Sequence, residues 1–303
     1  MLSLKEKIEK ISKVFDIPKV CSIPVNTKYI AKYYKVNQLA YSLFHTVSNR
    51  IYMGVSRDGV YKSDDLLEAA RTVDYYIQET KAEKVLELAT GRGANSLYVA
   101  SIHPNINFSG VDISDGQLYF ARKAARKVTN YVPEIGDYHN LAKVEDNSID
   151  VCFVVEALCY SMNKKKVLAE VNRVLKKDGI FIIFDGYRNK IEDELSSTET
   201  TAVKLTEVGM AVERFEEYQS FHKTISEMAW EIIKEEDVSM FVLPTMRRFE
   251  KLAKGFFKFP SVARLLAKVL PPEFTYNAIS GYLMPSLIEE GIANYTITIL
   301  RKK

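Results

Sequence analysis

The stretch VLELATGRGANSLYVA, residues 85–100, runs an apolar strand pattern into a turn with two glycines and then directly into a helical pattern. A short continuous apolar run bounded by such a turn predicts a strand covered on both faces. Gly91 and Gly93 carry no Cβ, so the backbone there can turn sharply and lie against a ligand. The free N–H groups at the start of the following helix offer that ligand positive potential. The same turn joins strand to helix in many α/β proteins that bind nothing, so the glycines alone name no ligand.

About twenty residues further on, FSGVDIS closes the next apolar run with Asp112. An ionised carboxylate at a strand tip accepts hydrogen bonds from both hydroxyls of a ribose, each worth roughly 1.5–3 kcal/mol, and repels a ribose that carries a phosphate. The ligand described in this way is an unphosphorylated adenosyl group. Asp112 would serve equally as an exposed helix cap. GDYHNL then sets Gly136, Asp137 and Tyr138 beyond a third strand, where a carboxylate and a flat ring suit the adenine amino group and ring face.

Around this centre, short apolar runs alternate with amphipathic helical stretches, the pattern of a parallel sheet with helices on both faces. Strands are expected at Val85–Ala89, Asn107–Val111, Val132–Ile135, Ile149–Val155, Ile180–Asp185, Glu231–Asp237 and Tyr295–Leu300. Helices are expected at Asn95–Ile102, Ser114–Val128 with Ser114 as cap, Lys164–Leu175 stopped by Gly179, and Thr224–Trp230. Residues 1–80 show no strand pattern and read as a helical cap whose last helix, Asp64–Thr80, starts at Ser63. Residues 240–291 hold five of the nine prolines and read as a helical insertion before the final strand. The fold class expected is α/β: a seven-stranded, doubly wound sheet formed by 81–239 and 292–303, roofed by 1–80 and 240–291.

Composition narrows the function. The 303 residues are 47% hydrophobic and 27% charged with a net charge of +3, which suits a globular chain and not one whose whole surface addresses nucleic acid. Cys21, Cys152 and Cys159 form no CxxC pair, and His45, His103, His139 and His222 lie far apart, so neither a disulfide framework nor a metal site is expected. The first fifteen residues carry charges every few positions, unlike a signal peptide, and no uninterrupted apolar run of ~18 residues follows. A reducing cytoplasm is the expected compartment.

Residues 81–190 and the last strand resemble the class I S-adenosylmethionine-dependent methyltransferases. ELATGRGAN is similar to that family's acidic-x-Gly-x-Gly-x-Gly loop, GVDIS to its ribose-binding strand end, and GDYHNL to its adenine-contacting segment. DVCFVVEALCYS matches its fourth strand and substrate-side loop, and EVNRVLKKDGIFIIFD the helix, turn and fifth strand that follow. The resemblance implies S-adenosyl-L-methionine as cofactor. It puts Glu87 near the methionine amino group, Gly91 and Gly93 facing the cofactor with Ala89 by the methionyl moiety, Asp112 on the ribose, Asp137 and Tyr138 at the adenine, and Ile113, Gln117 and Gly136 among the cofactor-binding residues. One departure stands out: Ala89 occupies the place of the first family glycine. A nicotinamide enzyme would want Gly-x-Gly-x-x-Gly, and residue 96 is Ser.

Methyl transfer from a sulfonium is an in-line displacement that asks the protein mainly to align two molecules and exclude water. Glu156, at the end of the fourth strand, is the candidate catalytic carboxylate and also a cofactor neighbour, with a purely structural hydrogen-bonding role as the alternative. Enzymes that methylate the exocyclic amine of adenine show Asp or Asn followed by Pro-Pro and an aromatic residue here, whereas this chain has Glu156-Ala157-Leu158-Cys159. With Tyr160, the loop is similar to that of sterol C-methyltransferases. YYKVNQLAYSLFHTVSNRIYMG resembles the aromatic segment preceding the core in the sterol, tocopherol and phosphoethanolamine methyltransferases. Tyr34 and Tyr160 are therefore candidate pocket residues; Tyr33, Tyr34, Tyr41 and Phe44 either face a cationic centre, each worth roughly 0.5–2 kcal/mol, or simply pack.

Residues 244–270 keep an apolar helical period through Met246, Phe249, Leu252, Phe256, Val262, Leu265, Leu266 and Val269. Arg247, Arg248, Lys251, Lys254, Lys258, Arg264 and Lys268 fill other positions against a single Glu250. Such a segment either lies peripherally in the headgroups of an anionic membrane or packs on the sheet with a solvated basic face. The function expected is methyl transfer to a small lipophilic acceptor, sterol-like or prenyl-like, at carbon or another atom. A catalytically silent cofactor-binding module and a nucleic-acid methyltransferase are the competing functions, and no nucleic-acid partner is expected.

Overall fold

The computed structural model describes residues 2–44, 50 and 52–303, with the backbone alone described for 38–44. Seven strands form one sheet: β1 Lys84–Leu88, β2 Asn107–Asp112, β3 Tyr131–Ile135, β4 Ile149–Val155, β5 Leu175–Arg188, β6 Trp230–Asp237 and β7 Ala293–Lys302. Their order is β3-β2-β1-β4-β5-β7-β6, parallel throughout except for β7, which runs antiparallel to both neighbours. The order reverses beside β1, between β2 and β4, and an open α/β sheet has its crevice at the strand ends of such a switch point. The expected α/β, doubly wound, seven-stranded class is what the chain adopts.

Thirteen α-helices accompany the sheet among the described residues: α1 Leu4–Ser12, α2 Ile17–Cys21, α3 Thr27–Phe44, α4 Glu68–Thr80, α5 Ala94–Ile102, α6 Asp115–Ala125, α7 Lys164–Val174, α8 Ser197–Met210, α9 Tyr218–Ser226, α10 Ser239–Phe257, α11 Pro260–Val269, α12 Pro272–Thr275 and α13 Asn277–Glu289. The apolar stripes of α4, α5, α6 and the first turns of α10 cover one face, through Val73, Ile77, Val99, Ala121, Val242 and Met246. Those of α7 and α9 cover the other, through Leu168, Val171, Phe221 and Ile225. A third core joins α1, α2, α3 and α8 to the far half of α10 and to α13, around Ile11, Leu205, Phe257 and Leu283. Helix α8, from the stretch between β5 and β6, thus packs with the roof.

A buried ion cluster pins the amino-terminal helix to that roof. Lys7 Nζ lies 2.7 Å from Glu250 Oε1 and donates to the Tyr282 carbonyl at 2.9 Å. Arg247 and Lys254 take the other carboxylate oxygen at 2.6 and 3.0 Å. Burial alone would raise the pKa of Glu250, but the three cations bring it down to about 2.

Local details depart from the sequence expectation at three helix ends. Gly179 does not stop α7: the chain passes from Val174 straight into β5, and the strand bulges against β4 between Leu175 and Ile180. A Cβ at Gly179 would meet the Lys176 carbonyl at 2.8 Å, so its glycine serves that bulge. Ser63 opens a 3₁₀ turn, Ser63–Leu67, and the α-helix begins only at Glu68. The helix placed at Thr224–Trp230 is Tyr218–Ser226, and Trp230 is the first residue of β6, buried against Phe181. Ser114 does cap α6, accepting from the Gln117 N–H.

Candidate active site

The turn after β1 is held by a carboxylate buried beneath it. Thr90 Oγ1 and Ser96 Oγ donate to Glu87 Oε2 at 2.5 and 2.6 Å, and Thr90 Oγ1 also meets the Tyr131 hydroxyl at 2.7 Å. Burial pushes the Glu87 pKa up to about 7, against the hydrogen bonds from Ser96 and Thr90. Three turn residues adopt positive φ: Ala89 at 50°, Gly91 at 54° and Gly93 at 74°. At Gly93 a side chain is also excluded by space, because a Cβ would sit 2.8 Å from the Tyr131 hydroxyl. At Gly91 a Cβ would meet nothing closer than the Ala89 carbonyl at 4.0 Å, so this part of the turn lies bare beside the cleft.

Asp112 ends β2 beside that turn. Its Oδ2 accepts from the Gly91 N–H at 2.8 Å and its Oδ1 from the Ser114 N–H at 2.7 Å. Burial raises its pKa, while the two N–H groups work in the other direction. Each carboxylate oxygen accepts more than one hydrogen bond, so a diol can still be received. Ile113 and Gln117 follow on the cleft wall; Gln117 accepts from Arg92 Nε at 3.2 Å, and the Arg92 guanidinium lies over Phe120 at 4.5 Å.

Gly136, Asp137 and Tyr138 border the same cleft. Asp137 Oδ1 receives the His139 N–H at 2.8 Å and faces His139 Nδ1 at 2.7 Å, while His139 Nε2 meets Ser161 Oγ at 2.8 Å. Burial would raise Asp137, but the hydrogen bonds from His139 hold it below the usual carboxylate range. Tyr138 donates to the Ala157 carbonyl at 3.1 Å, which fixes its ring at the wall.

Glu156 stands at the end of β4 with φ of 50°. Its Oε1 accepts from the Met53 N–H at 2.6 Å and from the Tyr295 hydroxyl at 2.8 Å. Burial pushes its pKa up to about 7. Tyr34 and Tyr160 come together in the cavity wall, ring centroids 5.8 Å apart and inclined by 64°, with the Tyr160 hydroxyl on the Met210 carbonyl at 3.2 Å. Tyr33 instead turns its hydroxyl to Asn277 Oδ1 at 2.7 Å. The side chains of Tyr41 and Phe44 lie outside the described residues.

These groups line one cavity of about 830 Å³, near the upper end of the ~300–1,000 Å³ typical of small-molecule sites. The strand tips supply its polar part. Its apolar part comes from Ile30 and Ala31 of α3, Met210 at the end of α8, Phe249, Leu252 and Phe256 of α10, Phe274 of α12 and Met284 of α13. Several of these residues escaped the sequence reading. Thr90, Asn95, Tyr52 and Met53 lay inside quoted stretches without a role assigned to them, Ser96 and Tyr295 act from behind the lining through Glu87 and Glu156, and Phe249, Leu252 and Phe256 showed only a helical period that packing would equally explain. All expected cofactor and catalytic residues except Gly93 line the cavity, and Gly93 lies one residue behind it. Among the described residues no three His, Cys, Asp or Glu side chains gather as a metal-holding group.

Three cations in the first half of the basic stretch 244–270 have partners within the fold. Arg247 binds Glu250 and Glu289, Lys254 binds Glu250, and Arg248 lies over the Tyr61 ring at 3.8 Å. Arg247 is half-buried between its two carboxylates, while Arg248 and Lys254 keep these partners and stay exposed.

Residues 79–237 match a family model described as a methyltransferase domain. The chain belongs to this methyltransferase-domain family. Its seven-stranded order and helical layers are those of the class I members. The chain is 29% identical over 174 residues to an S-adenosyl-L-methionine-dependent Diels–Alderase of Talaromyces variabilis, covering 55% of this chain and 59% of the relative. It is 25% identical over 166 residues to 24-methylenesterol C-methyltransferase 2 of Arabidopsis thaliana, covering 54% and 45%. The chain thus spans about half the length of the curated relatives it matches. The fold is similar to that of geranyl diphosphate C-methyltransferase from Streptomyces coelicolor A3(2), solved with Mg2+, geranyl diphosphate and S-adenosyl-L-homocysteine: TM-score 0.63 and 12% identity, covering 93% of this chain and 99% of that one.

Proposed function

We propose that this methyltransferase-family chain transfers a methyl group from S-adenosylmethionine to a small, neutral, lipophilic acceptor at a carbon atom. One observation carries the proposal: a single cavity joins the ribose-suited carboxylate Asp112 and the bare turn at Gly91 to an apolar chamber, with the carboxyl of Glu156 in its lining. The residues present fit the cofactor. Asp112 would hold the ribose hydroxyls, Glu87 and the turn at Ala89–Gly93 the methionyl end, and Gly136, Asp137 and Tyr138 the adenine.

When bound, S-adenosylmethionine supplies a methyl group made electrophilic by its sulfonium. The chain's own residues do the rest. The walls of α3, α10 and α13 exclude water and align an acceptor by shape. Methylation of an alkene carbon leaves a cation on the acceptor, quenched by loss of a proton. The Tyr34 and Tyr160 rings can face that cation. Glu156 can take the proton: the Met53 N–H and Tyr295 hydroxyl both occupy Oε1, which leaves Oε2 as the receiving atom. A carboxyl poised at about 7 is suited to accept a proton near neutral pH. Arg92 is the one Lys or Arg among the described lining residues, and it is engaged with Gln117 and Phe120, so the chamber favours a neutral acceptor over a diphosphate.

The relative named as a Diels–Alderase supports a second function, in which the same cavity folds a polyene for ring closure while the cofactor stays intact. Cofactor labelled in its methyl group separates the two. Incubated with a sterol, a quinone and geranyl diphosphate, the protein should label a neutral acceptor and release S-adenosylhomocysteine. Conversion of an acceptor with no label incorporated would overturn methyl transfer, and labelling confined to the diphosphate would overturn the neutral acceptor.

A further inference from the structure

Helix α11 is built like a core helix and placed like a surface one. Phe259, Val262, Leu265, Leu266 and Val269 recur at helical spacing, yet Leu265 is 62% and Val269 74% exposed, and Ala263 is the one buried residue of the helix. A monomeric protein rarely leaves an apolar stripe of this kind in water without a use for it. The charges around it have one sign. Residues 251–271 contain five Lys and Arg and no Asp or Glu. Lys254 pairs with Glu250, whereas Lys251, Lys258, Arg264 and Lys268 have no acidic partner among the described residues.

The helix also has a definite relation to the cavity. It connects α10 to α12, and both line the apolar chamber, through Leu252 and Phe256 on one side and Phe274 on the other. Leu252 is itself 56% exposed, so the chamber reaches the surface on the flank of this connection. We infer that α11 docks the protein on an anionic lipid bilayer, its apolar stripe sunk among the headgroups and its cations on lipid phosphates, so that the chamber opens towards the membrane. The inference rests on the lipophilic acceptor proposed above and names the surface from which that acceptor is drawn.

Charge selects this occupant over a second copy of the chain. A two-fold dimer through α11 would set the same basic patch against itself, because an isologous interface pairs each surface with its own copy. An anionic bilayer meets both halves of the pattern, the apolar stripe and the uniform positive charge. The docking element is α11 and the end of α10; Arg247, Arg248 and Lys254 are occupied within the fold.

Co-sedimentation of the full chain with vesicles tests this directly, using phosphatidylcholine with and without phosphatidylserine. The protein should pellet with the anionic vesicles and be released by salt. Val262→Ser with Leu265→Ser and Val269→Ser, and separately Arg264→Gln with Lys268→Gln, should each weaken pelleting by about tenfold. S-adenosylhomocysteine affinity should stay unchanged in both variants, which shows that they fold. Equal pelleting of all three proteins, or none by the wild type, overturns the docking. So does a wild-type dimer in solution that the Leu265→Ser variant dissociates. Vesicle binding as described with no lipophilic acceptor labelled would leave the docking standing and overturn the acceptor instead.

Discussion

The two halves of the cavity were put together by different means. The polar half is made of chain segments that lie close in sequence: the turn after β1, the tip of β2 with Asp112, and the loop after β3, all within residues 87–139. Strand pairing fixes their mutual position, since Leu88 pairs with Val111 in β2 and Asp112 with Ile135 in β3. The apolar half draws on residues 27–34, 52, 53, 210 and 249–284, brought together largely by the packing of α3, α8, α10 and α13. A binding function placed on strand tips is therefore tied to the sheet, while the chamber can change shape through helix packing without disturbing it. The polar half should respond to single substitutions by losing cofactor affinity, and the apolar half by changing acceptor preference.

The sharpest break in that comparison lies at Glu156, which the sheet positions and to which the proposed function gives a role towards the acceptor. Glu156→Gln should lower turnover by about 100-fold or more, the range expected for a lost general base, with S-adenosylhomocysteine affinity nearly intact by calorimetry. The sign with pH follows from the raised pKa. Glu156 is protonated below about 7 and cannot accept a proton, so kcat/KM for the acceptor should rise as pH climbs through about 7, and the Gln variant should lose that rise. Wild-type rates in the variant would reduce Glu156 to a partner of Met53 and Tyr295. Glu87 titrates in the same range, which is why the binding measurement at each pH belongs to the test.

Asp112→Ala comes next. Removing the carboxylate takes away the acceptor proposed for the ribose and leaves the Gly91 and Ser114 N–H groups without their partner. Affinity for S-adenosylhomocysteine should fall more than about tenfold, in line with roughly 1.5–3 kcal/mol per bond to a charged group. Asp112→Asn, which keeps an acceptor oxygen, should recover part of it. An unchanged dissociation constant for the Ala variant would mean that the diol is held elsewhere. On the apolar side, Leu252→Trp at the mouth should leave that constant alone and reduce kcat/KM for a long acceptor by about fivefold relative to a short one, since shape in an apolar pocket discriminates modestly. A uniform loss for both acceptors would show that Leu252 does not shape the entrance.

The same contrast explains what the sequence disclosed. The strand-turn-helix at 85–100 and Asp112 were legible because strand burial, glycine and a carboxylate at a fixed offset are local signals. The chamber was not, because an apolar helical period says only that a face is covered. In 244–270 a single period turned out to serve three ends: Met246 in the core, Phe249, Leu252 and Phe256 on the cavity, and Val262, Leu265 and Val269 at the surface. Gly179 misled for a related reason. Glycine after a lysine-rich helix suits a helix stop, but the positive φ there belongs to Asp178, at 62°, inside a strand bulge that depends on pairing with β4. Tyr295, whose hydroxyl reaches Glu156 from 139 residues away, has no local signature at all.

Ala89 offers the smallest and finest test of how far the backbone alone makes the polar half. It stands where the family resemblance puts a glycine, and its φ of 50° is left-handed, a conformation that costs a residue with a Cβ roughly 1–2 kcal/mol. Glycine would relieve that strain, yet it also loses more entropy on folding, by roughly 0.5–1 kcal/mol. Ala89→Gly should therefore raise the stability of the protein by at most about 1.5 kcal/mol, read as a slightly higher Tm. Cofactor affinity should change less than about threefold, because the turn is already held by the Glu87, Thr90 and Ser96 bonds beneath it. A large gain in affinity would show instead that the Ala89 methyl group crowds the methionyl end, and that the turn is shaped by its side chains as much as by its fold.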